Sequence, residues 1–161
     1  NPMPNWLGVR FTNATETLIW AVKDKNAKKY TFNKEYARMF GIGKIGANVW
    51  VLPICQGEER LRDESGKKVH STQKPIELLK RVILTSTKKG DLILDPVAGT
   101  GTTGYVAKAL KRNFVMIEIN PKYVKWIVER FKKPLNISER PYPKQWKISE
   151  YMKLGKENEK S

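Results

Sequence analysis

The feature that most constrains this chain is Leu92-Ile93-Leu94, followed at once by Asp95-Pro96-Val97-Ala98-Gly99-Thr100-Gly101-Thr102-Thr103-Gly104. The short apolar run predicts a buried strand. The glycines predict a sharp turn where backbone can come close to a ligand, and Thr103 to Leu110 reads as the helix leaving that turn. Phe114 to Ile119 predicts a second strand, and Pro121 opens a helix carrying Tyr123, Val124, Ile127, Val128 and Phe131. Upstream, Pro75 stands where a first helical residue should. Ile76, Leu79, Val82 and Ile83 then repeat at helical spacing until Gly90 ends the unit. Helix, strand, helix, strand, helix with short connections implies parallel strands joined by crossover helices, an α/β fold.

The earlier residues read less sharply. Glu16 to Lys23, with Leu18, Ile19, Trp20, Ala21 and Val22, predicts a buried strand, and Asn48 to Ile54 another, limited by Pro53. Between them Asn33 looks like the N-cap of a short helix through Glu35, Tyr36, Ala37 and Met39, closed by Gly41. Gln56 to Lys68 is a charged loop, and from Glu139 the chain is polar and Lys-rich, expected to fray after Tyr151. A length of 161 residues fits one domain with a real core.

Charge limits the partners. A formal net charge of +15 repels itself unless a polyanion or an acidic partner accepts it. Nucleic acid is the obvious polyanion, since Lys and Arg that neutralise phosphates release condensed counterions. A solvated lysine surface is the plainer alternative. Lys23, Lys25, Lys28, Lys29, Lys34 and Arg38, interleaved with Tyr30 and Phe32, are the candidates for phosphate contact. No stretch is apolar for long enough to span a bilayer and nothing at the start resembles a signal peptide, so no membrane partner is expected. The single Cys55 cannot form an internal disulfide, and the lone His70 leaves too few soft ligands for a zinc site. No metal is therefore expected, and a reducing, cytoplasmic setting is. Oligomeric state has no signature here.

Gly99, Gly101 and Gly104 satisfy the spacing G-x-G-x-x-G between a strand and a helix, which raises a dinucleotide site. Glu118, at the end of the following strand, stands where an acid would hold ribose hydroxyls. Asp95 points elsewhere: an acid at the strand end would repel a pyrophosphate. S-adenosylmethionine carries an ammonium, a sulfonium and a ribose and no phosphate, so carboxylates at Asp95 and Glu118 suit it better. On the residues alone both ligands stay open. A second cluster, His70-Ser71-Thr72-Gln73-Lys74-Pro75, places hydroxyl, amide and ammonium groups before a helix. That is a cradle for an amino-acid carboxylate, or simply helix capping.

In order, H-x-T-Q-K-P, D-P-x-A-G-x-G-T-T and I-E-I-N-P-x-Y resemble the permuted β class of S-adenosylmethionine-dependent DNA amino-methyltransferases, which methylate adenine N6 or cytosine N4 and mostly accompany restriction endonucleases. The resemblance covers essentially residues 1 to 131. It implies a Rossmann-like methyltransferase fold, here the cofactor-binding half of a mostly parallel sheet flanked by helices. It also implies S-adenosyl-L-methionine contacts at His70, Thr72, Gln73, Lys74, Asp95, Val97, Gly99, Gly101, Thr102 and Thr103, with Glu118 on the ribose. The opening Asn1-Pro2-Met3-Pro4-Asn5, Arg10-Phe11-Thr12-Asn13-Ala14 and Glu16-Thr17-Leu18-Ile19-Trp20 are similar to the subgroup that methylates adenine in GANTC sites.

Departures from the pattern are Ser71 for the usual proline, Val97 for phenylalanine and Thr15 for a common histidine. The larger departure is that no D/N/S-P-P-Y/F tetrapeptide, the family's catalytic motif, occurs in these residues. No catalytic residue is therefore assigned in this chain. The expectation is a methyltransferase portion over residues 1–138, with a DNA-contacting segment at 10–68 and a cofactor core at 70–131, and a basic tail at 139–161. Its partners would be double-stranded DNA and an N-terminal half, on the same polypeptide or on a second one. Adenine N6 is favoured over cytosine N4. The rival readings are a non-catalytic nucleic-acid-binding remnant and a dinucleotide-binding oxidoreductase domain.

Overall fold

The computed structural model describes residues 14–40, 48–134 and 137–139. Its centre is a parallel β–α–β unit: β1 (Leu92–Asp95), α3 (Thr102–Ala109) and β2 (Asn113–Met116), preceded by α1 (Lys34–Phe40) and α2 (Ile76–Ser86) and followed by α4 (Pro121–Lys132). The strands pair Leu92 with Asn113, Ile93 with Phe114, Leu94 with Val115 and Asp95 with Met116. Side chains alternate across a strand. Ile93 and Phe114 therefore share a face, and they pack on a core of Phe40, Ile83, Leu84, Val106, Ala107 and Leu110 contributed by α1, α2 and the α3 segment. On the opposite face Leu92, Leu94, Val115 and Ile117 are all exposed.

Close packing sets the third glycine of the turn motif. A Cβ built on Gly104 would collide with Met116 Sδ and stand 2.9 Å from Phe114 Cδ2, so the absence of a side chain is what lets α3 lie against β2. α2 buries two cations along with its apolar face. Lys80 is 2% exposed, its Nζ lying 3.3 Å from Glu77 Oε2, and Arg81 Nε lies 3.0 Å from Glu77 Oε1. The Arg81 guanidinium also covers the rings of Phe40 and Trp50, 5.3 and 5.7 Å from their centroids.

Several sequence expectations need correction. Residues 16–23 and 48–54 are not strands. Both run without ladder pairing, and Leu18, Ile19, Trp20, Val49, Val51 and Ile54 are exposed. An apolar, β-prone run becomes a strand only beside another strand, and none of the described ones runs along it. Trp20 instead packs edge-on against Tyr30 and Phe32, at 5.3 and 6.3 Å between centroids. Asn33 does precede α1, but its side chain serves another helix: Nδ2 donates to the carbonyls of Leu84 (2.6 Å) and Thr87 (2.7 Å), closing the C-terminus of α2. Pro75 sits one residue before α2 rather than inside it. β2 stops at Met116, three residues short of Ile119. Gly41 and the tail beyond Glu139 lie outside the described residues.

Candidate functional site

The C-terminal ends of β1 and β2 lie side by side, so Asp95 and Glu118 emerge from neighbouring strands into one place. Ile117 N donates to Asp95 O at 2.9 Å and Ala98 N to Ile117 O at 2.9 Å, which keeps the two strand exits together as they leave the ladder. Asp95 Oδ1 accepts from Val97 N at 3.1 Å and so closes its own turn. Glu118 reaches across: Oε2 accepts from Gly99 N at 2.7 Å and Oε1 from Asn120 N at 2.8 Å. One carboxylate thus braces the glycine loop on one side and the entry to α4 on the other.

The loop itself needs left-handed backbone. Gly99 has φ 55° and Gly101 φ 72°, angles at which an L side chain is strained. Gly101 is also the residue before α3, so the turn opens directly onto that helix's first amides. The His70 motif closes on the loop from the other side. A Cβ on Gly99 would sit 3.4 Å from His70 Nε2, and the His70 ring lies 4.6 Å from that of Tyr123. His70 Nδ1 in turn holds Thr72, 3.2 Å from its backbone nitrogen and 3.3 Å from Oγ1. His70, Thr72, Asp95, Gly99, Gly101 and Glu118 therefore converge.

The remaining candidates are placed differently. Gln73 is buried, and its side chain turns inward: Nε2 donates to Glu59 O at 2.8 Å while Oε1 accepts from Leu61 N at 3.0 Å. Thr102 is buried as well, its hydroxyl accepting from Arg130 Nη1 at 2.9 Å. Lys74 Nζ pairs with Glu16 Oε2 at 2.6 Å at the surface and ties the extended segment to the site. Thr103 is half-buried in the first turn of α3, and Val97 is 82% exposed.

Residues that sequence reasoning passed over complete the surroundings. Ile119, 97% exposed, stands beside Glu118 as Val97 stands near Asp95, so each acid has an apolar neighbour open to solvent. The residue next to an acidic strand end was the available signal for Ile119. Glu59, on the short 3-10 turn Gly57–Glu59, caps α2 by accepting from Ile76 N, the role Pro75 cannot fill. Burial pushes the Glu59 carboxyl above the usual range, while the Ile76 amide and the Arg130 charge pull it back. Nothing in the local sequence marks Arg60 or Arg130, both buried.

A family model described as DNA methylase (N6_N4_Mtase) matches residues 1–130. The chain belongs to this family. It is 52% identical over 124 residues to the type II methyltransferase M.HinfI of Haemophilus influenzae, an overlap of 77% of this chain and 34% of that protein. It is 41% identical over 133 residues to the type II methyltransferase M2.LlaDCHI of Lactococcus lactis subsp. cremoris, covering 83% of this chain and 48% of that one. Among solved structures, the M1.HpyAVI–SAM complex superposes with a TM-score of 0.64 at 34% identity, over 83% of this chain and 58% of that chain. The fold is thus part of the family's Rossmann-like methyltransferase fold, and the dinucleotide oxidoreductase reading falls away. Measured against those two type II methyltransferases, the chain spans about a third to a half of their length. No helix among the described residues is long and apolar enough to cross a membrane.

Proposed function

We propose that this chain is the S-adenosylmethionine-binding part of a site-specific DNA amino-methyltransferase, with adenine N6 its preferred acceptor. The observation that carries the reading is the convergence of Asp95 and Glu118 on a left-handed glycine loop that His70 closes from the far side. The donor set fits the molecule. Two carboxylates complement an ammonium and ribose hydroxyls, whereas the strand-end acid would repel a diphosphate. The exposed faces of Val97 and Ile119 suit the two sides of an adenine ring. Gln73 and Thr102, turned inward, serve by holding backbone in place. Lys74 is the cation available to the carboxylate of the amino-acid end, in exchange for Glu16.

Bound S-adenosylmethionine supplies a methyl group on a sulfonium, an electrophilic carbon open to in-line attack. This chain's residues do the holding: Glu118 fixes the ribose end, Asp95 neutralises positive charge, and Thr72 with the first-turn amides of α3 steadies the amino-acid end. Catalysis by such a site is mainly positioning plus electrostatics, because an exocyclic amine is a weak nucleophile. The acceptor side would come from an N-terminal half, on the same polypeptide or on another. We assign the open sheet face of Leu92, Leu94, Val115 and Ile117 to contact with that half, since the chain spans only 34% and 48% of the two type II methyltransferases named above. Within this scheme residues 70–131 form the cofactor core and 10–68 the DNA-contacting segment, working in the cytoplasm.

Calorimetric titration of the chain with S-adenosylmethionine and, separately, with NAD tests the reading. Binding of the methyl donor and none of NAD is expected, and tighter binding of NAD would sink it. Binding to short DNA duplexes should be largely independent of sequence and fall steeply with salt. A protein that makes six to ten phosphate contacts loses roughly a thousandfold or more in affinity between about 50 and 200 mM salt. A flat salt response would give the +15 charge another purpose.

A further inference from the structure

The contacts around His70, the chain's single histidine, close into a ring. Its Nδ1 accepts from the Thr72 amide at 3.2 Å, with Thr72 Oγ1 at 3.3 Å. Another edge of the imidazole lies against the glycine loop, where the place of a Gly99 Cβ is 3.4 Å from Nε2 and 3.7 Å from Cδ2. Gly99 N donates to Glu118 Oε2 at 2.7 Å, and the other oxygen of that carboxylate accepts from Asn120 N at 2.8 Å. Asn120 caps α4, its side chain accepting from Lys122 N at 3.0 Å and its carbonyl from Tyr123 N at 3.0 Å. The Tyr123 ring then returns to His70, 4.6 Å between centroids at an interplanar angle of 56°. Both rings are half-buried.

We infer that Tyr123 is a positioning residue for the donor site: it holds the His70 imidazole, with its proton on Nε2, between α4 and the glycine loop, and through that ring it fixes Thr72. The step concerning the donor rests on the function proposed above. The tautomer follows from the partner, since a backbone N–H can only donate and the nitrogen it meets carries no proton. With Nδ1 committed to Thr72 and Nε2 lying against Gly99, His70 serves by holding other groups. A hydrogen bond to Thr72 alone ties the imidazole to its own loop, two residues along, and leaves both free to turn together. The Tyr123 ring ties the imidazole to a different element, and an aromatic pair at this separation contributes beyond the area it buries. Glu118 already joins the glycine loop to the start of α4, so the His70–Tyr123 contact adds the third segment to that pair.

With one histidine in the chain, the imidazole signals in a magnetic-resonance spectrum belong to His70 without further assignment. In the ligand-free full chain, with the ring neutral, the nitrogen shifts should report a proton on Nε2 and none on Nδ1. The carbon-bound ring protons should be displaced by the ring current of Tyr123. In Y123L that displacement should vanish and the Thr72 amide should exchange faster, while the amides of β1 and β2 keep their protection. In Y123F, which retains the ring, both should stay as in the parent. S-adenosylmethionine affinity should fall roughly tenfold in Y123L, about what one aromatic contact supports, and stay within about twofold in Y123F. Because Tyr123 acts through His70, adding Y123L to H70A should change that affinity by less than about twofold. A proton on Nδ1, an undisplaced imidazole in the parent, or a Y123L effect undiminished in H70A would overturn the inference. So would unchanged donor affinity in a folded Y123L. A parent chain that shows the imidazole signature but binds no donor would refute the proposed function and leave the His70–Tyr123 contact standing. If Y123L does not fold, H70F keeps a ring against Tyr123 and offers Thr72 no acceptor. It should weaken the donor as Y123L would, and parent-like binding by H70F would overturn the inference.

Discussion

Incubated with mixed-sequence duplex DNA and saturating S-adenosylmethionine, the 161-residue chain is expected to transfer no methyl group. The reason is geometric. Methyl transfer needs the amine held in line with the sulfonium, about 3 Å from the methyl carbon, by groups on both sides of the pocket. A base inside a duplex must also be turned out of the stack and gripped by its hydrogen-bonding edge. In the proposed site His70, Thr72, Asp95 and Glu118 would surround the donor only, and no D/N/S-P-P-Y/F tetrapeptide is present in these residues to grip the base. Supplying an N-terminal half, covalently or as a second polypeptide, should take turnover from undetectable to readily measurable. A tritiated-methyl assay reads both arms. Clear incorporation by the chain alone would reveal an acceptor site among residues assigned here to other work.

The order of elements from α2 to α4 was legible in the sequence because each has a local cause. Ile76, Leu79 and Ile83 mark one helix face, Leu92-Ile93-Leu94 is apolar in the space of three residues, and Pro121 presets a first helical turn. The two strands expected at 16–23 and 48–54 failed because a strand is a relation between segments. Leu18, Ile19 and Trp20 have the composition for burial but no described strand to pair with. Site residues divide in the same way. That Asp95, Glu118 and the glycines come together was legible because they sit at or just beyond strand ends and in a turn, where placement follows from local structure. Gln73 and Thr102 were read as ligands, yet their side chains turn into the protein toward Leu61 and Arg130, partners 12 and 28 residues away. Arg60 and Arg130 escaped notice because a buried arginine in a Lys- and Arg-rich chain is indistinguishable, by letter, from a solvated one. What the sequence lacked was always a long-range partner.

Replacing Glu118 with alanine should weaken S-adenosylmethionine binding by about a hundredfold, the second of the large effects. A charge-assisted hydrogen bond contributes about 1.5–3 kcal/mol, so the loss of those to the ribose accounts for most of that factor. The carboxylate has a further duty that makes substitution unforgiving. Oε2 already accepts from Gly99 N at 2.7 Å and Oε1 from Asn120 N at 2.8 Å, so removing it loosens the glycine loop and the start of α4 together. Glu118→Gln should be nearly as damaging. Both oxygens face backbone donors, and the amide –NH₂ of glutamine would meet one N–H with another. Asp95→Ala, by contrast, frees a single amide, that of Val97, and should weaken the donor by a smaller factor while leaving the loop in place. Titration with the donor, run beside thermal unfolding of each variant, separates a lost ligand contact from a lost fold. A Glu118→Ala chain that binds S-adenosylmethionine within about threefold of the parent would remove Glu118 from the site, and with it the strongest reason to place a ribose between the two strand ends.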